Sequence, residues 1–205
     1  MSVANSLAAR TKKPRRIDPQ EKMTRVMQTA RRLFVQKGYH NVSIPAIVQA
    51  SEVSTGAIYS YFPNKEALAK HIHEQTLADF HLLFQARLDG RQSTYEKLRA
   101  FAEVVYETAE QDPEMMEYLL FMRHAEFMHD CIPLCFTEPF RLIQAIVRDG
   151  IAAGDLRPGD FLVSAISFTG AILRPVELRL QCVLEKSLGE MAEELFANAW
   201  AAIRA

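Results

Sequence analysis

A chain of 205 residues with 49% apolar composition can bury one sizeable core, or a small module joined to a larger one. Its net charge of −1 hides an asymmetry: residues 1–75 carry twelve Lys and Arg against five Asp and Glu, which leaves −8 for the remainder. A basic third on an acidic body fits a polyanion, either nucleic acid or an anionic membrane, while the three cysteines Cys131, Cys135 and Cys182 are too few for a secreted disulfide framework.

Every apolar run of about 20 residues contains a charge, and no apolar signal core follows the basic N-terminus, so a soluble, cytoplasmic chain with reduced thiols and no membrane partner is expected. The first segment, "RTKKPRRIDP" at residues 10–19, packs five cations around two prolines and cannot bury a core, so residues 1–19 read as a flexible basic arm. From Gln20, apolar residues at Met23, Val26, Met27, Ala30, Leu33 and Phe34 recur at helical spacing until Gly38 stops them. Ser43 is a good N-cap for a short helix ending near Ala50, with Pro45 tolerated in its first turn. After a break at Ser51, Glu52 and Val53, Ser54 caps a helix of about two turns that Phe62-Pro63 ends. Asn64 caps the next, longer helix.

Two short helices joined by a tight turn and braced by a longer one make a helix-turn-helix, whose second short helix enters the DNA major groove. The residue types in "VSTGAIYSYFPNKEAL" (53–68) fit that task. Ser54, Thr55, Gly56 and Ala57 are small enough for close approach, with hydroxyls for phosphates or base edges and methyls for thymine. Tyr59 and Tyr61 have the reach to place phenols on flanking phosphates, and Lys65 sits where its charge and the free amides of a helix start can hold another. Arg15 and Arg16, with Lys12 and Lys13, read as a minor-groove or phosphate clamp. Plainer readings stand beside these: Ser43 and Ser54 as caps only, the tyrosines as buried braces, Lys65 as a solvated helix-start residue, and the arm as a solubility device.

The stretch "GYHNVSIPAIVQASEVSTGAIYSYFPNKEAL" (38–68) resembles the TetR family of bacterial transcriptional regulators. The family's aromatic turn, Thr/Ser cap, Ile-Ala pair, Ala-Gly-Val-Ser turn, aromatic cluster and Lys-Glu-x-Leu map onto it, with departures at Val48, Ser51 and Glu52. Glu52 stands where the turn glycine is usual, which implies a non-glycine residue at positive φ. The resemblance implies DNA contacts at Ser43, Ser54, Thr55, Gly56, Ala57, Tyr59, Tyr61 and Lys65, a helix-turn-helix domain over residues 20–66, and an effector-binding and dimerisation domain over 67–205. Beyond residue 68 it rests on helical layout and "GIAAGDLRPGD" (150–160).

The body reads as all-α, with apolar periodicity over 77–88, 98–109 and 115–128, then helices near 139–153, 160–174 and 187–204. Breaks fall at Gly90, Asp112-Pro113 and Ile132-Pro133, and Pro175 opens a long connector. One helical bundle continuous with the fourth helix is expected. In the last two helices Leu162, Ile166, Leu195, Phe196 and Trp200 are either core or, as the resemblance implies, the interface of a homodimer that spaces two recognition helices on a palindromic double-stranded operator. Phe84, Phe101, Phe121, His124, Phe127 and Phe168 are candidates to line a cavity for a partly apolar small-molecule effector, which the resemblance also implies; packing in the core is the plainer role for most.

Metal binding at His124, Glu126, His129, Cys131 and Cys135 lacks a paired ligand spacing. A thiol switch at Cys131 and Cys135 rests on no more than their proximity. No phosphate-cradling glycine loop, nucleophile elbow or acid/base pair points to an enzyme, and neither a cofactor nor a metal is expected. The expected function is a ligand-released repressor. The alternatives are a helical protein-interaction or ligand-binding bundle that ignores DNA and, further off, an enzyme.

Overall fold

The computed structural model describes residues 18–128 and 132–205, without the side chain at position 135. Residues 1–17 of the expected arm, Arg15 and Arg16 among them, lie outside the described residues together with Cys131 and the Cys135 thiol, whereas Asp18 and Pro19 of that arm already cap and open the first helix. The described residues form nine α-helices: α1 (Pro19–Lys37), α2 (Ile44–Ser51), α3 (Thr55–Tyr59), α4 (Lys65–Leu88), α5 (Thr94–Gln111), α6 (Pro113–Phe121), α7 (Glu138–Ala153), α8 (Phe161–Leu180) and α9 (Leu188–Ala201). Nearly every start is set by a side chain that accepts a backbone N–H of the first turn: Asp18 for α1, Ser43 for α2, Ser54 for α3, Asn64 for α4, Asp112 for α6 and Asp160 for α8. Ser93 with Glu96, and Ser187 with Glu190, form reciprocal capping boxes for α5 and α9.

Two apolar cores result. The first gathers Val26, Phe34, Ile47, Ile58, Leu68 and Ile72 from α1 to the start of α4; the second gathers Phe84, Leu98, Phe101, Ile143, Phe168 and Ile172 from the rest of α4 through α9. Each such side chain contributes about 1.5–3 kcal/mol when fully buried. Helix α4 feeds both cores, so the first extends past residue 66 into its first two turns. Tyr118, Phe127 and Met128 also belong to the first core, although they come from the far side of α5.

Two helices differ from their sequence-based limits. The periodicity over 115–128 breaks: α6 stops at Phe121, and His124–Glu126 form a 3-10 turn. The apolar residues after the break turn toward the first core instead of continuing along the second. Helix α8 runs through Pro175 to Leu180. Proline in a helix interior removes a hydrogen bond and costs about 3 kcal/mol, yet here Pro175 and its neighbour Val176 are buried, so the ring itself fills the core. Among the described residues α8 is the one helix long and apolar enough to cross a membrane, and little of it is buried within the chain. Arg174, Glu177 and Arg179 nevertheless occupy its last turns, where Arg174 pairs with Glu177 and Arg179 reaches Glu110 at 3.0 Å.

Candidate nucleic-acid interface

The turn between α2 and α3 is built by two residues that replace the expected small ones. Glu52 adopts the left-handed conformation (φ 58°, ψ 25°) and donates its N–H to the Val48 carbonyl at 3.0 Å. Buried Ser51 accepts the N–H of Val53 at 3.4 Å, so its hydroxyl serves the turn that follows. Ser54 Oγ then accepts from Ala57 N at 3.3 Å, and fully buried Ile58 pins α3 to the core. With that side fixed, Thr55 and Gly56 face solvent and Ala57 is half-buried. A Cβ placed on Gly56 would meet nothing within 4 Å. The fold does not require glycine there; an external surface that approaches closely would.

Tyr59 and Tyr61 flank this face and are 50% and 54% exposed, which removes the buried-brace reading for both rings. Ser43 caps α2 through the Ala46 N–H at 3.3 Å and stays exposed. Lys65 is placed differently. Its Nζ donates to the carbonyls of Tyr39 and Val42, each at 2.9 Å, and lies 4.0 Å from the centroid of the Tyr39 ring. Burial lowers its pKa. An ammonium so engaged is a brace between α4 and the loop before α2, in place of the free phosphate ligand expected from sequence.

Tyr39 is the centre of that brace. Its ring stacks on Phe127 at 4.0 Å with planes 14° apart and tilts against Phe34 at 5.4 Å, and burial raises its phenol pKa, helped by the nearby charge of Glu66. Phe127 is therefore part of the DNA-binding module's core and not a lining of an effector cavity. Two further links hold the module to the body: Tyr118 donates its hydroxyl to the Ala69 carbonyl at 3.2 Å, and Arg31 meets Asp112, the cap of α6, at 2.5 Å. The sequence carries no signal for these pairings, because each joins residues far apart whose types alone do not select a partner.

The sequence profile described as bacterial regulatory proteins, tetR family, matches residues 26–72. Residues 26–72 are thus similar to the helix-turn-helix module of the TetR family. Over 48 residues, 23% of the chain and 16% of the relative, it is 48% identical to the uncharacterized HTH-type transcriptional regulator YuxN of Bacillus subtilis. A longer match, to the HTH-type transcriptional regulator HbdR of Aromatoleum, is 24% identical over 160 residues, 77% of the chain and 69% of the relative. The chain spans about a third or less of the length of the curated relatives it matches over this stretch. The fold of a putative tetR family regulator from Shewanella superposes with a TM-score of 0.74 at 20% identity, covering 90% of this chain and 98% of that one. The likeness in fold thus extends over the body as well as the module.

In the body, Phe84, Phe101 and Phe168 are fully buried and pack edge-on or tilted through Phe101, with 5.3 Å between the first two. They fill the core and line no described cavity. Phe121 ends α6 partly exposed. His124 does line a cleft of about 530 Å³, with His73, Leu119, Leu120, Met122 and Leu134. The His73 and His124 rings lie 4.2 Å apart, only 8% and 7% exposed, and neither His73 Nδ1 nor His124 Nε2 has a hydrogen-bond partner among the described residues. Burial lowers the His73 pKa against the opposing pull of Glu74, and it pushes His124 down to about 4, with His73 adding to the effect. His73 follows Ala69 and precedes Thr76 and Phe80 on the inward face of α4; a polar residue in that apolar register was the signal available.

The interface residues divide. Leu162 and Ile166 are exposed, with Val163 beside them. Leu195 and Trp200 are half-buried, whereas Phe196 is buried against Tyr95 and Phe168 at 5.2 and 6.3 Å. Phe196 is a core residue and is withdrawn from the interface, since its ring is already covered within one chain.

Proposed function

We propose that the chain is a sequence-specific, ligand-released transcriptional repressor that binds a palindromic double-stranded operator as a homodimer in the cytoplasm. The observation that carries the reading is the outward face of α3: Thr55, Gly56 and Ala57 presented on a capped, core-anchored helix between two exposed tyrosines. Thr55 and Ala57 read base edges; Ser43, Ser54, Tyr59 and Tyr61 position the backbone; Arg15 and Arg16 add phosphate contacts. Lys65 holds the scaffold.

The dimer is carried by α8, where Leu162, Val163 and Ile166 form an exposed apolar stripe of the kind that a two-fold partner covers. Selection of bound DNA from a random pool tests the reading. A palindrome with half-sites about one helical turn apart and affinity that falls steeply with salt is expected; retention independent of ionic strength would overturn it. Ile166→Glu should yield monomers by sedimentation with weakened operator binding, and a fully dimeric variant would place the interface elsewhere.

A further inference from the structure

The cleft beside His73 and His124 is a built site with an unfilled hydrogen-bonding requirement. Buried polar nitrogens nearly always find a partner, yet two imidazoles from different elements, α4 and the 3-10 turn after α6, line the same cleft, and each has one buried nitrogen without a partner among the described residues. The walls around them are apolar: Leu119, Leu120, Met122 and Leu134. Leu119, Leu120 and Leu134 also line the entrance to the apolar core around Phe80, Phe140 and Leu173. The volume suits a small molecule.

We propose that this cleft binds an uncharged, largely apolar molecule whose single hydroxyl or carbonyl head hydrogen-bonds to the imidazoles of His73 and His124. Charge decides against an anion. Arg123, the cation at the rim, is already paired with Glu126 at 3.3 Å, and Glu74 adds negative potential at His73. Burial keeps both imidazoles neutral, and a neutral imidazole offers one donor and one acceptor nitrogen, so the pair can serve a head that donates, accepts or does both. The effector role of the ligand rests on the regulator reading above. It has a short physical route: His124 opens the turn that Phe127 closes, and Phe127 stacks on Tyr39, which Lys65 clasps beneath the helix-turn-helix.

Calorimetry on the full chain with 1-naphthol and 1-naphthoate as probes tests the site. Naphthol should bind, naphthoate should bind at least about tenfold more weakly, and His73→Phe and His124→Phe should each weaken naphthol by about tenfold, the loss of one buried hydrogen bond. Leu120→Trp keeps both imidazoles and narrows the cleft, so it should weaken naphthol comparably even where a histidine variant fails to fold. Equal binding of the two probes, or naphthol affinity unchanged by Leu120→Trp or by both folded histidine variants, overturns the proposal. A protein that binds its selected DNA but not naphthol also overturns it and leaves the regulator reading standing. Naphthol binding with the expected variant pattern by a chain that selects no DNA supports the cleft and sinks the regulator reading. Operator affinity should change when naphthol is added; an unchanged affinity removes the effector role.

Discussion

Acid should weaken this fold through the same histidine pair, and the size of the loss can be worked out for His124. In the folded chain burial holds its pKa at about 4, whereas an unfolded chain returns it to about 6.5. The folded state therefore prefers the neutral ring. Its contribution is complete above the unfolded pKa and is lost as pH falls from about 6.5 toward 4. Linkage over that window gives about 2 kcal/mol lost between pH 7.5 and pH 5, or roughly 4–8 °C in Tm for a chain of this size. His73, shifted the same way by burial, adds to it. Thermal melts of the parent and of His124→Phe at both pH values and one protein concentration read the effect, because titrating groups other than the adjoining His73 cancel in the difference. The parent should lose about 2 kcal/mol more than the variant. Equal losses would show that His124 ionises freely in the folded chain, and its burial as described would be wrong.

Glu52→Gly relieves a left-handed non-glycine residue and should raise stability by about 1 kcal/mol with operator binding retained; a lower Tm would refute the strain. Lys65→Met leaves the Tyr39 and Val42 carbonyls without their donor, so stability should drop by roughly 1–3 kcal/mol while the slope of log affinity against log salt stays as it was. A slope flatter by about one at unchanged Tm would return Lys65 to a phosphate. Tyr59→Phe keeps an exposed ring and removes one hydroxyl, so binding to every operator variant should weaken to a similar degree with no change in Tm. Melting at a lower temperature with intact binding would make Tyr59 a structural residue.

The helix-turn-helix was legible because its signals are local. Caps at Ser43, Ser54 and Asn64 and a stop at Phe62-Pro63 act within a few residues, and the left-handed turn followed from the family resemblance, in which a glycine is usual where Glu52 stands. What stayed hidden depends on partners remote in sequence. Periodicity identified Phe127 and Phe196 as apolar, but it does not say what covers them: Phe127 joins the first core, and Phe196 takes the core packing that stood beside the interface reading. Lys65 reads as solvated at a helix start until Tyr39 is known to lie beneath it. Pro175 reads as a break because a single sequence does not show that its ring is needed as filling. Of the cleft, His124 was visible as a polar residue in an apolar run, whereas His73 became meaningful only when α4 and the segment after α6 were brought together.

Phe127, Met128 and Tyr118 complete a core that the first quarter of the chain begins, and this limits how the parts can be exchanged. A recognition unit cut after α4 and joined to a foreign body would lose the ring that covers Tyr39 and the hydroxyl that meets Ala69, leaving an oily socket open to water. A working chimera would have to carry α6 and the turn after it along with the first four helices, or supply an aromatic residue of its own to close the gap. The helix-turn-helix is thus not a detachable head: it is finished by the same stretch of chain that walls the cleft beside His73 and His124.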